Sequence, residues 1–223
     1  MAISDWTSQF DGSDYVFLLE TTSPIAGTGS LRLERNSGTG AESAIIYPTS
    51  LTTGITKGRL QTIVNLAEMT DDGGSGAEQL WGMFFMIDSI TTPLSTSSMY
   101  SFMIGVNNTG AVNLHLGKSE AAGVNGLVHN HFGSVAITET IGSDIALQVD
   151  WVFDAIQFAG VSIDARWKNG TDFIGLTDVF DTVDTINPLT TSAAEGLGAR
   201  SNTGTNDWVV FFDDTSLFDL VPV

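Results

Sequence analysis

The stretch that most constrains this chain is Trp208-Val209-Val210-Phe211-Phe212, followed by Asp213 and Asp214. Five consecutive apolar residues of β-branched and aromatic type are too few for an ordinary helix and suit a strand buried on both sides. The double aspartate interrupts the run, and alternation resumes through Leu217 to Leu220. So apolar a strand, placed so late in the sequence, is expected in the middle of a sheet between partners from far earlier in the chain. Non-local pairing of this kind specifies a sandwich rather than a meander.

The rest of the chain supports that reading. Short apolar runs alternate with Gly- and Ser/Thr-rich breaks, no Gly- or Pro-rich linker divides them, and no internal repeat occurs. Strands are expected at Tyr15 to Glu20, Ser30 to Glu34, Ala44 to Tyr47, Lys57 to Leu66 and Leu80 to Asp88. Tyr100 to Val106 and Ala111 to Leu116 read as a hairpin about Asn107-Asn108-Thr109-Gly110. Ile145 to Phe153 and Val161 to Trp167 read as a second hairpin, and Phe173 to Leu176 as a further strand. Asp71 to Gly76 reads as a loop, and a single helical turn is expected near Ala193 to Gly196. With 223 residues, one all-β domain spanning 1–223 accounts for the whole pattern.

Charge excludes some partners. Acidic residues outnumber basic ones 26 to 8, a formal net charge of −18 that repels phosphate backbones and anionic membranes. Nucleic acid and membrane are therefore not expected partners. Cysteine is absent, so disulfide and thiolate chemistry is too. Met1 to Trp6 has neither the basic region nor the apolar core of a signal peptide, so export is not expected. The sequons at Asn107 and Asn169 then carry little meaning. No Gly-x-Ser-x-Gly, phosphate-binding loop or dinucleotide fingerprint occurs.

Period-two reading points to one binding surface. Ile145, Leu147, Val149 and Trp151 are expected to face the core, leaving Gln148 and Asp150 outside. Ile163, Ala165 and Trp167 leave Asp164 and Arg166, while Leu114 and Leu116 leave Asn113 and His115. Together these six form a polar sheet face that either binds sugar or is simply the solvated side of an antiparallel sheet. Sugar sites also use exposed aromatic rings. Trp6, Trp81 and Tyr100 are the candidates, although Trp81 and Tyr100 fit the core better. His129 and His131 sit two apart, a spacing that suits a transition metal, with no third ligand in evidence.

The tail, together with Phe10-Asp11-Gly12, Gly29-Ser30-Leu31-Arg32-Leu33 and Gly196-Leu197-Gly198, resembles concanavalin A-like jelly rolls, the laminin-G-like and lectin/glucanase sandwiches. The resemblance covers nearly the whole chain and implies an all-β, two-sheet antiparallel β-sandwich. Glucanases of that fold carry Glu-x-Asp-x-x-Glu on one strand, with both glutamates in the cleft. No such spacing occurs here, so hydrolysis, and enzymatic activity generally, is not expected. Related sandwiches often bind a calcium ion near the termini, which makes Asp213 and Asp214 candidate ligands, although such an ion needs six to eight oxygens. No cofactor is otherwise required. By elimination, the expected role is a non-enzymatic virion structural protein, a phage capsid decoration, cement or tail-associated subunit. A positive mean hydropathy of +0.15 fits a surface partly covered by other virion proteins or by further copies of the chain, for example in a trimer. The alternative is a carbohydrate-binding lectin-like module that meets a cell-surface glycan.

Overall fold

The computed structural model describes residues 5–11, 15–21, 25, 29–36, 42–49, 54–69, 79–90, 97–107, 109–120, 128–201 and 207–220. These residues build two antiparallel sheets of seven strands each, stacked as a sandwich. Sheet A runs in the order β1 (Trp6–Asp11), β4 (Glu42–Pro48), β13 (Ala194–Ser201), β6 (Gln79–Ile87), β7 (Met99–Val106), β8 (Val112–Glu120) and β9 (Val128–Ile137). Sheet B runs in the order β12 (Thr177–Asp184), β11 (Gly160–Asn169), β10 (Asp144–Asp154), β5 (Lys57–Met69), β14 (Trp208–Asp219), β3 (Ser30–Arg35) and β2 (Tyr15–Glu20).

The last strand lies where its sequence places it. β14 is interior to sheet B, with Phe212 opposite Leu31 of β3 on one side and Val64 of β5 on the other. Its burial, however, is one-sided. Trp208, Val210 and Phe212 are buried in the core, whereas Val209 and Phe211 are only half-buried on the outward face. An antiparallel sheet keeps one face for the core and one for solvent, and an unbroken apolar run does not override that geometry. At Asp213 and Asp214 the strand bulges, with Asp214 in the left-handed region at φ 49°. The bulge inserts residues between the pairs Asp213–Ile63 and Ser216–Gln61.

One core draws on both sheets. Trp81 of β6 meets Trp208 of β14 edge to face at 5.6 Å, and Phe85 packs on Trp151 at 5.1 Å. A buried ion pair joins the sheets at one side. Lys118 of β8 donates to Asp184 of β12 at 3.0 Å and to the carbonyls of Ile186 and Asn187 at 2.9 and 2.6 Å. The Tyr100 hydroxyl donates to the same carboxylate at 2.6 Å. Sheet A also carries apolar residues on its outward face. Ile45, Leu80, Phe84 and Met103 form a second buried cluster there with Tyr47 alongside, which explains why β6 and β7 are buried along their whole length.

Both expected hairpins form, β7 with β8 and β10 with β11. The Asn107 side chain closes the first, accepting from the backbone of Thr109 and Ala111 at 3.0 Å each. The helical turn near Ala193 is instead the start of β13, and Phe173 to Leu176 is a turn preceding β12. Asp71 to Gly76 lies outside the described residues.

Candidate functional site

The six predicted polar residues divide between the two sheets. Asn113 and His115 belong to β8 in sheet A, whereas Gln148 and Asp150 (β10) and Asp164 and Arg166 (β11) belong to sheet B. Leu114, Leu147, Val149 and Ala165 all face the shared core, so the polar residues beside them point outward on opposite sides of the sandwich. The expected single face is therefore corrected to two. His115 is buried beside Met103 of the second apolar cluster, apart from the polar surface.

The sheet B group is brought together, and β5 adds partners that sequence reading missed. Arg59 clamps Asp150 with two hydrogen bonds, Nε to Oδ1 at 2.6 Å and Nη2 to Oδ2 at 2.8 Å. Arg166 donates to Asp150 at 3.2 Å, to Asp178 of β12 at 2.7 Å, and to Asp164. Gln61 donates to Gln148 at 2.6 Å, and Gln148 donates in turn to Asp150 at 3.2 Å. Hydrogen bonding to Asp150 raises the Arg59 pKa, and hydrogen bonding to Asp178 raises that of Arg166, in both cases against the opposing pull of burial. Burial raises the Asp164 carboxyl pKa; Arg166 lowers it, and the neighbouring aspartates push it up again. Each guanidinium on this part of the face is thus neutralised by the chain's own carboxylates.

Strand register arranges these groups in rows. Phe218, Arg59, Asp150, Asp164 and Asp181 lie opposite one another across β14, β5, β10, β11 and β12. Ser216, Gln61, Gln148, Arg166 and Asp178 form the next row. Leu217 packs on the core, so Phe218 points outward, and it is 46% exposed. Side chains in one row stand about 5 Å apart across the strands. An apolar ring therefore lies beside a plate of planar amide, carboxylate and guanidinium groups held in place by one another. Such a surface can pack the C–H face of a pyranose on the ring and exchange hydrogen bonds with its hydroxyls.

The other candidates have different surroundings. Trp81 and Tyr100 are fully buried, as expected, and Trp6 packs against the core. Asp213 accepts from the Ser30 hydroxyl and from the Asp214 backbone N–H, at 2.9 and 2.8 Å, so its carboxylate organises the bulge. Among the described residues, no group of three or more His, Asp or Glu is placed to hold a metal ion. The backbone of His129 and His131 runs in β9, but their side chains lie outside the described residues. No helix among the described residues is long and apolar enough to cross a membrane.

Neither a protein-family model nor a curated protein sequence matches the chain. Solved structures do match its fold. An endo-β-1,4-glucuronan lyase from the fungus Trichoderma reesei superposes with a TM-score of 0.57 at 10% identity, covering 92% of this chain and 87% of the lyase. The alginate lyase of Aplysia kurodai gives 0.52 at 10% identity, covering 91% and 87%. The exoplasmic/lumenal domain of VIP36, solved with Ca2+ and Man3GlcNAc, gives 0.50 at 12% identity, covering 100% and 86%. The chain is thus a jelly-roll sandwich of the architecture shared by carbohydrate-binding lectins and polysaccharide lyases. The lyases overturn the expectation that the chain is not an enzyme. The missing Glu-x-Asp-x-x-Glu pair bears only on hydrolysis, and this architecture also carries enzymes that cleave polysaccharides by another reaction. None of these structures is a virion protein, so they lend the expected phage role no support.

Proposed function

We propose that the protein binds a glycan on the outward face of sheet B, with Phe218 as the apolar platform and Arg59, Asp150, Gln61 and Arg166 as the hydrogen-bonding plate, braced from below by the buried Gln148. The observation that carries this reading is the register that sets an exposed phenyl ring directly beside the Arg59–Asp150 clamp. The clamp fixes the side chains beforehand, so a bound sugar does not have to order them. The fold shared with lectins and polysaccharide lyases supports the same class of ligand.

A panel of soluble polysaccharides in affinity electrophoresis tests the reading. Retardation by one of them, reduced by Phe218→Ala and by Asp150→Ala, is the expected result. Retardation indifferent to both substitutions sinks the assignment to this face. The same incubations are read for the ultraviolet absorbance of unsaturated uronic ends, and its appearance would make the protein a lyase. Carriage on a phage particle, where such a surface would serve adhesion, is a further part of the proposal. Mass spectrometry of purified particles checks it.

A further inference from the structure

The two sheets end in four edge strands, and three of these carry acids. β1 ends on Asp11, β2 ends on Glu20, and β12 holds Asp178 and Asp181. In a chain of net charge −18, such edges repel a second copy. β9 is the exception. It closes sheet A at the end opposite β1, pairs with β8 alone, and reads Val-His-Asn-His-Phe-Gly-Ser-Val-Ala-Ile, without acid, lysine or proline. A bulge lies at Phe132, between the pairs Gly117–His131 and Leu116–Gly133, and from Gly133 to Ile137 the register is unbroken. Val135 in this stretch is 39% exposed, and Ser134 and Ala136 are exposed as well. Val135 lies opposite the buried Leu114, so it is a core-side residue left half-covered where the sheet stops. Among the described residues, no segment is hydrogen-bonded along the outer side of β9.

We infer that two copies of the chain pair through β9, antiparallel about a two-fold axis at Val135, so that the two sheets A continue into one. That axis sets Val135 opposite its own copy, Ser134 opposite Ala136, and Gly133 opposite Ile137. No like charges face each other, and each copy satisfies the open backbone groups of the other. Gly133 suits the last pairing. It presents no side chain, and the Phe180 ring fills its core side, where a Cβ would fall 2.6 Å from the ring. Ile137 of the other copy therefore meets an apolar neighbour. The axis is perpendicular to sheet A, so both sheets B lie on one side and their Phe218 faces point the same way. A polymeric glycan then meets two faces at once, although the pairing itself does not depend on the glycan reading. A strand pair this short buries less than a standard interface, so the dimer is reversible and concentration-dependent. Salt strengthens it by screening the repulsion between two copies of −18 each; an interface held by ion pairs responds the other way.

Cross-linking tests the pairing directly. The chain has no cysteine, so a single introduced one reports its own contact. Opposed residues of an antiparallel pair have Cα atoms about 4.5–5.5 Å apart, within reach of a disulfide. Val135→Cys is compared with Leu18→Cys, at a similarly exposed position on the β2 edge, after mild oxidation in high salt. The expected result is a covalent dimer from Val135→Cys and little from Leu18→Cys. Sedimentation equilibrium of the wild-type chain should give about twice the mass of one chain, more completely as salt rises. Val135→Lys sets two ammonium groups face to face and should weaken the dimer at least about tenfold. Melting curves confirm that it folds, and Ser134→Lys, on the exposed outward side, serves in its place if it does not. A chain still monomeric at about 0.1 mM in high salt overturns the inference. So does an oligomer that fails to cross-link through Val135→Cys, equal cross-linking through Leu18→Cys, or dissociation by salt.

Discussion

Glu195 offers a quantitative test of the core. It sits at the start of β13, fully buried, with Oε1 accepting from the Ile55 backbone N–H at 2.8 Å and from the Ser192 hydroxyl at 2.6 Å. Burial raises the carboxyl pKa from 4.5 to about 7, outweighing those hydrogen bonds, and the charge of Asp219 adds to the rise. Between these two values the folded chain holds a proton that the unfolded chain releases. Stability therefore falls as pH rises from about 4.5 through about 7 and levels off above that. The gap corresponds to about 3 kcal/mol, at about 1.4 kcal/mol per pH unit. Glu195→Gln keeps an acceptor for Ile55 and removes the titration. The variant should match wild type near pH 4.5 and exceed it by about 2–3 kcal/mol near pH 8. Urea unfolding across that range measures both curves. Parallel curves would refute the reasoning, because the folded carboxyl would then titrate where the unfolded one does.

Three further substitutions probe other parts of the fold. At Gly58 an added Cβ would lie 2.6 Å from the Trp151 ring, so Gly58→Ala should cost about 1–3 kcal/mol in denaturant unfolding through overpacking. Lys118→Met leaves Asp184 buried without its cation and should cost about 3–5 kcal/mol, part of which Lys118→Met/Asp184→Asn restores. Asp213→Asn weakens the bulge by about 1 kcal/mol, since it disturbs the bonds to Ser30 and to the Asp214 N–H. Melting of wild type should be the same with and without EDTA; a fall in EDTA that the variant abolishes would show that Asp213 holds calcium.

Much of the sandwich is legible in the sequence wherever alternation and turn chemistry agree. The Asn107 and β10–β11 hairpins, and the interior place of β14, all follow from such local signals. β12 is not legible, because an edge strand reading Thr-Asp-Val-Phe-Asp-Thr-Val-Asp is polar and largely exposed, like a loop. β13 reads as a turn because of Gly196 and Gly198. They are glycines for a different reason: a Cβ there would fall 2.3 Å from the Ile46 carbonyl oxygen and 2.1 Å from that of Ala44. The clustering of Gln148, Asp150, Asp164 and Arg166 follows from one hairpin. Their separation from Asn113 and His115 does not, since it depends on β10 pairing with β5, far away in the chain. Phe218 escapes notice because the alternation of Trp208, Val210 and Phe212, carried forward, puts it on the core side, and only the bulge at Asp213–Ser216 shifts the phase and turns it outward.

The interior place of β14 also governs how the chain can be made. Until Trp208 to Asp219 leave the ribosome, β3 and β5 each have an open edge, and sheet B is two ribbons without their joining strand. Open edges of this kind recruit other strands, including those of neighbouring nascent chains. A chain stopped before Trp208 is therefore an aggregation-prone pair of half-sheets rather than a slightly smaller sandwich. Its cell must shelter the growing polypeptide until the final dozen residues of the sheet have been added.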